Sequence, residues 1–435
     1  MSRVLKSSGV YWLGEIPDSW RVGRVKHFYS FITGFTPPSK NDNYYDVDGT
    51  PWITIGDLNG RYITHSDKGI SRSYIEENHP PIVPSGSLLY SFKLSVGQVA
   101  ITKIDVFTNE AIASFLDKDE VDLGFLFYSS QVCIIQNANE NIYGAKLLNQ
   151  ELINNALIVF PPLIEQRLIA NFLDRKCDEI DGLILLQERI IEKLQSYKQS
   201  IIIEAVTHGI NSFDAPMKES GFDWLGVIPA HWCIKPLKYV LLRRNEKNSP
   251  IKSEERLSLS IGIGITRYED KTTNLDRFKD DFTQYQLAYP NDIVLNSMNM
   301  IVGAVGLSKF FGCVSPVYYV MRVSDGLSPA YFAYLLNIPT IRQVYHSMGK
   351  GIYAIERGEG RVNTCRLKVP FEDFGRIEIP VPPIAEQEAI VDYIGAKCAE
   401  IDTLISLKQS KIEALKAYKK AIIYEYVTGK KEVNG

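Results

Sequence analysis

One long helical pattern occurs twice in this chain. Residues 161–207 and 382–428 align at an offset of 221, and 23 of the 47 aligned positions are identical. Each copy opens with two prolines and carries a glutamate in its first turn, Glu165 or Glu386, where the helix dipole favours negative charge. Neither copy contains a further proline. The pattern therefore predicts two helices, each roughly 65 Å long at about 1.5 Å per residue.

The apolar residues of both copies recur in heptads, which predicts that the two helices pair as a coiled coil. Gln187 and Lys408 interrupt the pattern at equivalent core positions, where polar side chains fix register at some cost in stability. Two helices buried in separate cores are the alternative interpretation. The predicted core residues are Leu173, Ile180, Leu183, Ile190, Leu194, Tyr197 and Ile201 in the first helix, and Ile394, Ile401, Leu404, Leu415, Tyr418 and Ile422 in the second.

Length and composition are those of a globular protein with two to four domains, since the chain has 435 residues, 45% of them apolar and 23% charged. The N-terminus lacks an apolar signal core, and no run of eighteen apolar residues occurs, so we expect a cytoplasmic protein that does not enter a membrane. The six cysteines are scattered without a CxxC pair, which predicts neither a zinc site nor a disulfide framework.

A second repeat precedes each globular region. WLGEIPDSW at 12–20 returns as WLGVIPAHW at 224–232, and these segments hold four of the five tryptophans of the chain. Large aromatic rings at the entry to a domain usually fasten it to a neighbouring element through buried area. We therefore expect Trp12, Trp20, Trp224 and Trp232 to pack in the core.

A globular region of about 150 residues lies between each tryptophan segment and the following helix. Short β-branched and aromatic runs with one short helical stretch predict a mixed α/β domain in both regions. Residues 83–101 align with 288–307, whereas the later loops differ in length and sequence. Because loops on a rigid scaffold usually carry binding diversity, the two regions are expected to bind different targets.

Familiar catalytic motifs are missing from the sequence. It contains no GxxxxGK[ST] phosphate loop, no HExxH and no GxSxG, and it lacks the Asn-Pro-Pro-aromatic motif of amino-methyltransferases. Its six histidines show no ligand or acid-base spacing. Together with the repeated layout, this favours a binding protein over an enzyme.

The alternation of globular region and long helix, with PPLIEQ and PPIAEQ opening the helices and IDxLI inside them, resembles the DNA specificity subunit of type I restriction-modification systems. The resemblance covers nearly the whole chain. It implies a mixed α/β fold with a pseudo-two-fold internal repeat, in which two long antiparallel coiled-coil helices separate two homologous target recognition domains. The expected boundaries are 1–160 and 210–381 for the recognition domains, and 161–209 and 382–435 for the helical spacers.

The resemblance also implies a function. Each recognition domain would read one half of a split double-stranded DNA sequence, and the helix pair would set the spacer and dock two methyltransferase subunits. Restriction subunits, which are motor-nucleases, would join the complex. The chain would be non-catalytic and carry no cofactor, with S-adenosylmethionine, ATP and Mg²⁺ bound by the partners. Because the halves differ most in their loops, we expect an asymmetric bipartite target.

A coiled-coil scaffold that binds only proteins is the alternative function. The net charge of the chain is −3, and residues 1–160 carry 13 Lys and Arg against 17 Asp and Glu. This acidic balance does not favour binding to DNA. Residues 210–381 carry 21 against 18. A DNA-binding surface would therefore have to be local or be completed by another subunit.

Candidate DNA contacts lie after matching strands and in the divergent loops. Asn pairs well with adenine and Lys with guanine, while basic and aromatic side chains contact phosphates and sugars. Thr54 belongs to the WITIGD stretch, which resembles one common in recognition domains, and Asp57 of that stretch is expected to be structural. An ordinary solvated role is the alternative for each candidate. The candidates are Thr54, Lys93, Tyr143, Lys146, Asn296, Asn299, Lys350, Tyr353, Arg357 and Arg361.

Overall fold

A computed structural model describes residues 3–38, 41–142, 144–210, 216–271, 281–352, 356–357, 361–362 and 366–433. Side chains are described for these residues except 352, 356–357, 361–362 and 366. The chain divides into a first unit, Met1–Glu188 with Gln409–Gly435, and a second unit, Arg189–Lys408. Each unit contains one globular region and one part of each long helix. The predicted boundaries assign whole helices to spacers instead, and they stay a prediction.

The two long helices confirm the repeated pattern. The first begins directly after Pro162 and has 46 residues, and the second begins directly after Pro383 and has 44. Proline suits these positions because N–H groups at the start of a helix have no intrahelical acceptor, so a residue without an N–H loses no hydrogen bond there. Within the described residues the α-helices are α1 (Val25–Phe28), α2 (Arg72–Asn78), α3 (Leu123–Cys133), α4 (Gln150–Asn155), α5 (Leu163–His208), α6 (Pro329–Leu335), α7 (Pro339–Met348), α8 (Phe371–Gly375) and α9 (Ile384–Val427).

The globular region of the first unit is built on mixed sheets. Its strands are β1 (Leu5–Ser7), β2 (Glu15–Pro17), β3 (Arg21–Arg24), β4 (Phe31–Thr33), β5 (Tyr45–Ile53), β6 (Tyr62–Ile63), β7 (Gly69–Ile70), β8 (Leu88–Ser91), β9 (Val99–Thr102), β10 (Phe107–Thr108), β11 (Ile112–Phe115), β12 (Asn139–Glu140), β13 (Lys146–Leu147) and β14 (Leu157–Phe160). Five of them form the sheet β4-β11-β8-β9-β6, and three form β10-β5-β7. The strand β8 is buried along its whole length, and α3 packs on the same core.

The second unit repeats this plan with a smaller sheet. Its strands are β15 (Met217–Glu219), β16 (Val227–Pro229), β17 (Cys233–Pro236), β18 (Leu241–Arg243), β19 (Leu257–Ser260), β20 (Gly264–Arg267), β21 (Gln286–Ala288), β22 (Ile293–Asn296), β23 (Val305–Leu307), β24 (Gly312–Val314), β25 (Tyr318–Val323), β26 (Lys350–Ile352), β27 (Glu356–Arg357), β28 (Arg361–Val362), β29 (Arg366–Lys368) and β30 (Glu378–Val381). The sheet β18-β25-β22-β23 is antiparallel throughout. The hairpin β22–β23 corresponds to β8–β9 of the first unit. Both regions combine sheets with short helices, which confirms the mixed α/β prediction.

The two ends of each globular region lie side by side. In the first unit β3 pairs antiparallel with β14, so Arg21 faces Phe160. In the second unit β17 pairs with β30 in the same way, so Cys233 faces Val381. In each unit the chain therefore enters the globular region, and leaves it toward the following long helix, through one two-stranded ribbon.

Each unit contains an antiparallel helix pair. In the first unit Lys419 Nζ of α9 donates to both carboxylate oxygens of Asp181 in α5, at 2.7 and 2.6 Å. Nine residues before Asp181, the ring of Phe172 lies 4.4 Å from that of Tyr426. The partner of the earlier α5 residue, Phe172, is the later α9 residue, Tyr426. The two helices therefore run in opposite directions.

The second unit repeats the arrangement with the helices exchanged. Lys198 Nζ of α5 donates to both oxygens of Asp402 in α9, at 2.7 Å each. Further along α5, Ala205 and Val206 share a core with Ile390 and Ile394, which lie earlier in α9. This pairing is antiparallel as well.

The predicted core is wrong at four positions. Leu183, Tyr197, Leu404 and Tyr418 are 40–58% exposed, whereas Leu173, Ile180, Ile201, Ile394, Ile401 and Ile422 are buried, and Ile190, Leu194 and Leu415 are half-buried. The second core line runs instead through Cys177, Ile184, Ile191, Lys198 and Ala205 in α5, and through Cys398, Ile405, Ile412 and Lys419 in α9. At Lys198 and Lys419 the aliphatic stem packs in this line while the ammonium group reaches the facing carboxylate.

Candidate nucleic-acid interface

The residues Glu165 and Gln166 join the first globular region to the start of α5. The Trp20 indole N–H donates to the Glu165 carboxylate, and Arg3 donates to the same oxygen at 2.6 Å. Gln166 is fully buried, donates to the Pro161 carbonyl at 2.9 Å and accepts from the N–H of Asp122 at 2.9 Å. Asp122 is the N-cap of α3. Glu165 and Gln166 are thus hydrogen-bonded to the tryptophan segment and to the start of α3, respectively.

The same junction is built in the second unit. The Trp232 indole donates to Glu386 at 2.8 Å, and His231 lies 2.6 Å from the other carboxylate oxygen. Gln387 donates to the Pro382 carbonyl at 2.8 Å and accepts from the N–H of Ser328, the N-cap of α6, at 2.8 Å. Trp20 and Trp232 are completely buried, as the tryptophan repeat predicts. We name these two arrangements the helix-start junctions.

A bonded cluster in the first unit joins the recognition region to α5. Arg61 ion-pairs with Asp174 of α5 and donates to the Tyr128 hydroxyl at 2.6 Å, which donates to Asp174 at 2.7 Å. Burial raises the pKa of the Tyr128 hydroxyl, and its bond to Asp174 raises that pKa further. Arg61 and Tyr128 line a cleft of about 700 Å³, which Asn59, Gln98 and Lys420 also line. We name the three bonded residues the Arg61 cluster. Residue 395 of α9, equivalent to Asp174, is glycine.

The hairpin loop after β8 presents one candidate to solvent. Lys93 is exposed, and its ammonium group lies 5.9 Å from the centroid of the Phe92 ring. The next residue, Leu94, has φ of 59° and is 91% exposed. A branched side chain in the left-handed region costs about 1–2 kcal/mol, so this loop tip is strained as well as exposed.

Two other candidates of the first unit have partners already. The Thr54 hydroxyl and backbone N–H both donate to Asp57, at 2.8 and 2.7 Å, and this bonding caps a 3₁₀ turn at Ile55–Asp57. Lys146 pairs with Glu140 at 2.9 Å across the β12–β13 hairpin. Tyr143 lies outside the described residues. Lys93 therefore has the most accessible cation among the candidates of this unit.

In the second unit the candidates surround the loop 297–304 between β22 and β23. Asn296 accepts from the N–H of Met298 at 3.1 Å, which closes the loop, and the Asn299 side chain is exposed. The loop is also bonded to the segment that follows β29, because the N–H of Val369 donates to the Ser297 carbonyl at 3.1 Å. The amide of Asn299 is therefore free to reach a ligand, while that of Asn296 shapes the loop.

A basic and aromatic cleft of about 510 Å³ lies beside this loop. The Arg243 guanidinium stacks on Tyr319 and Phe371, with its carbon 5.2 and 4.7 Å from the two ring centroids. Lys350 and Lys368 line the same cleft, and Lys350 pairs with Asp373 at 2.9 Å. Cations on an aromatic floor suit phosphate and sugar contacts.

The remaining candidates of the second unit cannot be placed in this cleft. Tyr353 lies outside the described residues. Arg357 and Arg361 face each other across the β27–β28 pairing, but their side chains lie outside the described part. Sequence reasoning missed Arg243 and Lys368, because distant strands bring them together and no local pattern marks them.

Two further properties concern the described residues alone. No group of three or more His, Cys, Asp or Glu side chains there is placed to hold a metal ion. None of the helices in those same ranges is long and apolar enough to cross a membrane.

Sequence comparison supports the resemblance. A family model described as "Type I restriction modification DNA specificity domain" matches residues 17–204. The MjaIX specificity subunit of Methanocaldococcus jannaschii is 28% identical over 248 residues, which is 55% of this chain and only about half, 55%, of that relative. The MjaVIII specificity subunit of the same organism is 22% identical over 96% of this chain and 94% of its own length. The Escherichia coli EcoBI specificity subunit is 21% identical over 93% and 84%.

Solved structures share the fold. A chain from a study of complex assembly and conformational transition in a type I restriction-modification system superposes with a TM-score of 0.66, at 15% identity, over 95% of this chain and 98% of that one. The HsdS subunit from Thermoanaerobacter tengcongensis superposes with a TM-score of 0.53, at 16% identity, over 98% and 100%. Over nearly its whole length the chain is therefore similar to type I restriction-modification DNA specificity subunits, and residues 17–204 match the model of their specificity domain.

Proposed function

We propose that this chain recognises double-stranded DNA as the specificity subunit of a type I restriction-modification complex, and that each globular region reads one half of an asymmetric bipartite target. The observation that carries the proposal is a common framework with different polar loops. Both hairpins, β8–β9 and β22–β23, stand on equivalent buried strands, but one presents Lys93 and the other Asn299. Different side chains on the same scaffold suit different base sequences.

The protein-only scaffold is disfavoured as a function. The relatives that span most of the chain are specificity subunits of restriction enzymes. The cleft that holds Arg243, Lys350 and Lys368 also contains Glu372 and Asp373, so its lining is weakly basic although the net charge of the chain is −3. DNA recognition therefore accounts for the similarity to these relatives and is compatible with the charge distribution.

The helix pair docks two methyltransferase subunits in this proposal. Besides their buried core line, the helices carry a second apolar stripe that is exposed: Leu183, Leu186 and Tyr418 in the first unit, and Leu404, Leu407 and Tyr197 in the second. The six residues are three equivalent pairs at the offset of 221. An exposed apolar stripe at helical spacing fits a partner helix. Two equal stripes suit two copies of the same partner.

Methyl transfer and DNA cleavage belong to the partners in this scheme. The methyltransferase subunits bind S-adenosylmethionine, and the restriction subunits bind ATP and Mg²⁺. This chain supplies target recognition and assembly, without a catalytic group of its own. Such a complex acts in the cytoplasm, where the cellular DNA of a prokaryote lies.

The decisive experiment is methylome mapping in cells with and without the gene. We expect one bipartite methylated motif with two unlike half-sites to disappear when the gene is deleted. An unchanged methylome, together with no sequence preference and no salt-dependent DNA binding by the purified complex, would refute the proposal.

The docking stripe has its own test. Leu186→Asp combined with Leu407→Asp should abolish copurification of the methyltransferase, because charge on an apolar interface is costly to bury. Gln409→Asp is the matched control, since it lies two residues beyond Leu407 and therefore on the other side of the helix. Equal retention of methyltransferase by all variants would place docking elsewhere.

The spacer is tested by changing helix length. A heptad adds about 10 Å of helix and a base pair about 3.4 Å, so removing one heptad from both helices should shorten the unspecified spacer by roughly three base pairs. Altered half-sites with an unchanged spacer would contradict this role for the helices.

A further inference from the structure

The guanidinium of Arg342, in the first turn of α7, lies against the loop 297–304, and no described residue offers it a carboxylate. A Cβ atom added to Gly303 would come within 2.6 Å of the Arg342 Cζ and Nη2 atoms, so the group packs flat on the glycine. Gly303 also has φ of 94°, which favours glycine independently. The side chain is thus held at the base of the loop that presents Asn299.

The charge of Arg342 is poorly compensated. Nη2 donates to the Asn337 side-chain oxygen at 2.8 Å, and Nε is enclosed with no acceptor in the described part of the chain. Among the residues that the structure describes, none provides a carboxylate for an ion pair with this guanidinium. Burial consequently lowers the pKa of Arg342. A half-buried cation with unused donors is destabilising on its own, and an anion would relieve it.

The neighbourhood indicates which anion fits. On the other side of the loop, a Cβ on Gly349 would lie 3.4 Å from Ile301, so the loop also contacts the residue before Lys350. The exposed amide of Asn299 therefore lies on a loop that Arg342 and the Lys350 segment border. Arginine donates well to phosphate oxygens, and phosphate contacts orient a protein whose loops read bases.

Among the described residues of the first unit, no cation lies at the equivalent place. A Cβ added to Gly97 would lie 3.5 Å from Ile135 Cδ1 and 3.9 Å from the Tyr90 hydroxyl. Gly97 has φ of 92°, so the two hairpins share their backbone turn. The guanidinium is thus a feature of the second recognition region and is not needed to build the hairpin.

We infer that Arg342 is a phosphate-binding residue of the second recognition region, which anchors the DNA backbone beside the Asn299 loop. The inference rests on the proposed function, because the phosphate is that of a duplex. Arg342 contributes affinity independent of sequence, whereas the loop contributes sequence preference.

The test compares Arg342→Met with the wild-type chain, each at full length and assembled with the methyltransferase. The probe is a 30-bp duplex of mixed sequence, and its affinity is measured by fluorescence anisotropy between 50 and 200 mM NaCl. Loss of one phosphate contact should reduce the slope of log K against log salt by about 0.9. Affinity should fall about tenfold, the order expected for one charge-assisted hydrogen bond. The preference among duplexes should not change.

Thermal unfolding separates binding from a structural role. Methionine retains much of the side-chain volume and removes the uncompensated charge, so the free Arg342→Met protein should melt at the same temperature or about 2–4 °C higher. The control is Arg322→Met, because Arg322 already pairs with Asp325 at 2.6 Å and its loss should leave the slope unchanged.

Each other outcome overturns the assignment. A lower melting temperature with an unchanged salt slope would make Arg342 structural. An equal fall of slope in Arg322→Met would mean that net charge alone is responsible. A changed preference among duplexes would make Arg342 a base-reading residue. If the wild-type complex bound no DNA, the proposed function would fail and this assignment with it.

Discussion

In the first unit Trp20 donates to Glu165 at the start of α5, and in the second unit Trp232 donates to Glu386 at the start of α9. These two helix-start junctions use equivalent atoms although the intervening regions have diverged. The Lys419–Asp181 and Lys198–Asp402 ion pairs of the helices are equivalent as well. The contacts that build the framework are therefore repeated, whereas the candidate DNA contacts Lys93 and Asn299 differ.

The Arg61 cluster lies between these two categories. It joins a recognition region to a helix, yet Asp174 has the glycine Gly395 as its counterpart in the second helix. The second unit instead fastens α6 by a bond from the Tyr331 hydroxyl to the Val206 carbonyl at 2.9 Å. The two units thus attach this part of the recognition region to the helices with different polar bonds, whereas the junctions and the Lys–Asp pairs of the helices are common to both.

The largest expected effect comes from removing a junction tryptophan. Trp20→Ala and Trp232→Ala should each cost about 3–5 kcal/mol of unfolding free energy, because both rings are completely buried. Hydrogen exchange should show the loss in the first unit for one variant and in the second for the other. The half-buried Trp12 and Trp224 are matched controls with smaller expected losses. Equal effects at all four positions would mean that the junctions are not special.

A smaller effect should follow from breaking the Arg61 cluster. Asp174→Asn should destabilise the first unit by about 1–2 kcal/mol, since it weakens a partly buried ion pair and a bond from Tyr128. Gly395→Asp places a carboxylate at the equivalent exposed site and should change stability by less than about 0.5 kcal/mol. Denaturant unfolding measures both changes. A large effect of Gly395→Asp would contradict the difference drawn between the units.

The smallest expected effect concerns the core of the helix pair. Gln187 is 4% exposed, and its side-chain oxygen has no hydrogen-bond donor among the described residues. Gln187→Leu should therefore raise the unfolding free energy by about 1 kcal/mol. The half-buried Lys408 is equivalent to it, and Lys408→Leu should have less effect because its ammonium group can reach water. A loss of stability in Gln187→Leu would show that register depends on this amide.

Helix existence and repetition could be predicted from sequence because heptads and prolines are local signals. The choice of core line could not. Leu183 and Ile184 both continue the line of Ile180, at spacings of three and four residues, and only Ile184 lies on the side of α5 where Lys419 of α9 bonds Asp181. Such a long-range ion pair has no signal in one segment.

The candidate site divides in the same way. Lys93, Asn299 and Lys350 could be nominated because they follow strands or lie in divergent loops. Arg243 and Arg342 could not, since their surroundings come from distant parts of the chain. A surface assembled by tertiary packing can be recognised only after folding.

The ribbon that closes each globular region has an evolutionary consequence. Because β3 lies beside β14 and β17 beside β30, each region enters and leaves the framework at one place. The junction residues Trp20 and Glu165, which hold that place, lie at its borders. Genetic exchange of the whole stretch between them would deliver a new recognition module on an unchanged frame. A restriction system built this way can acquire a new target in one recombination event, while its assembly surfaces stay the same.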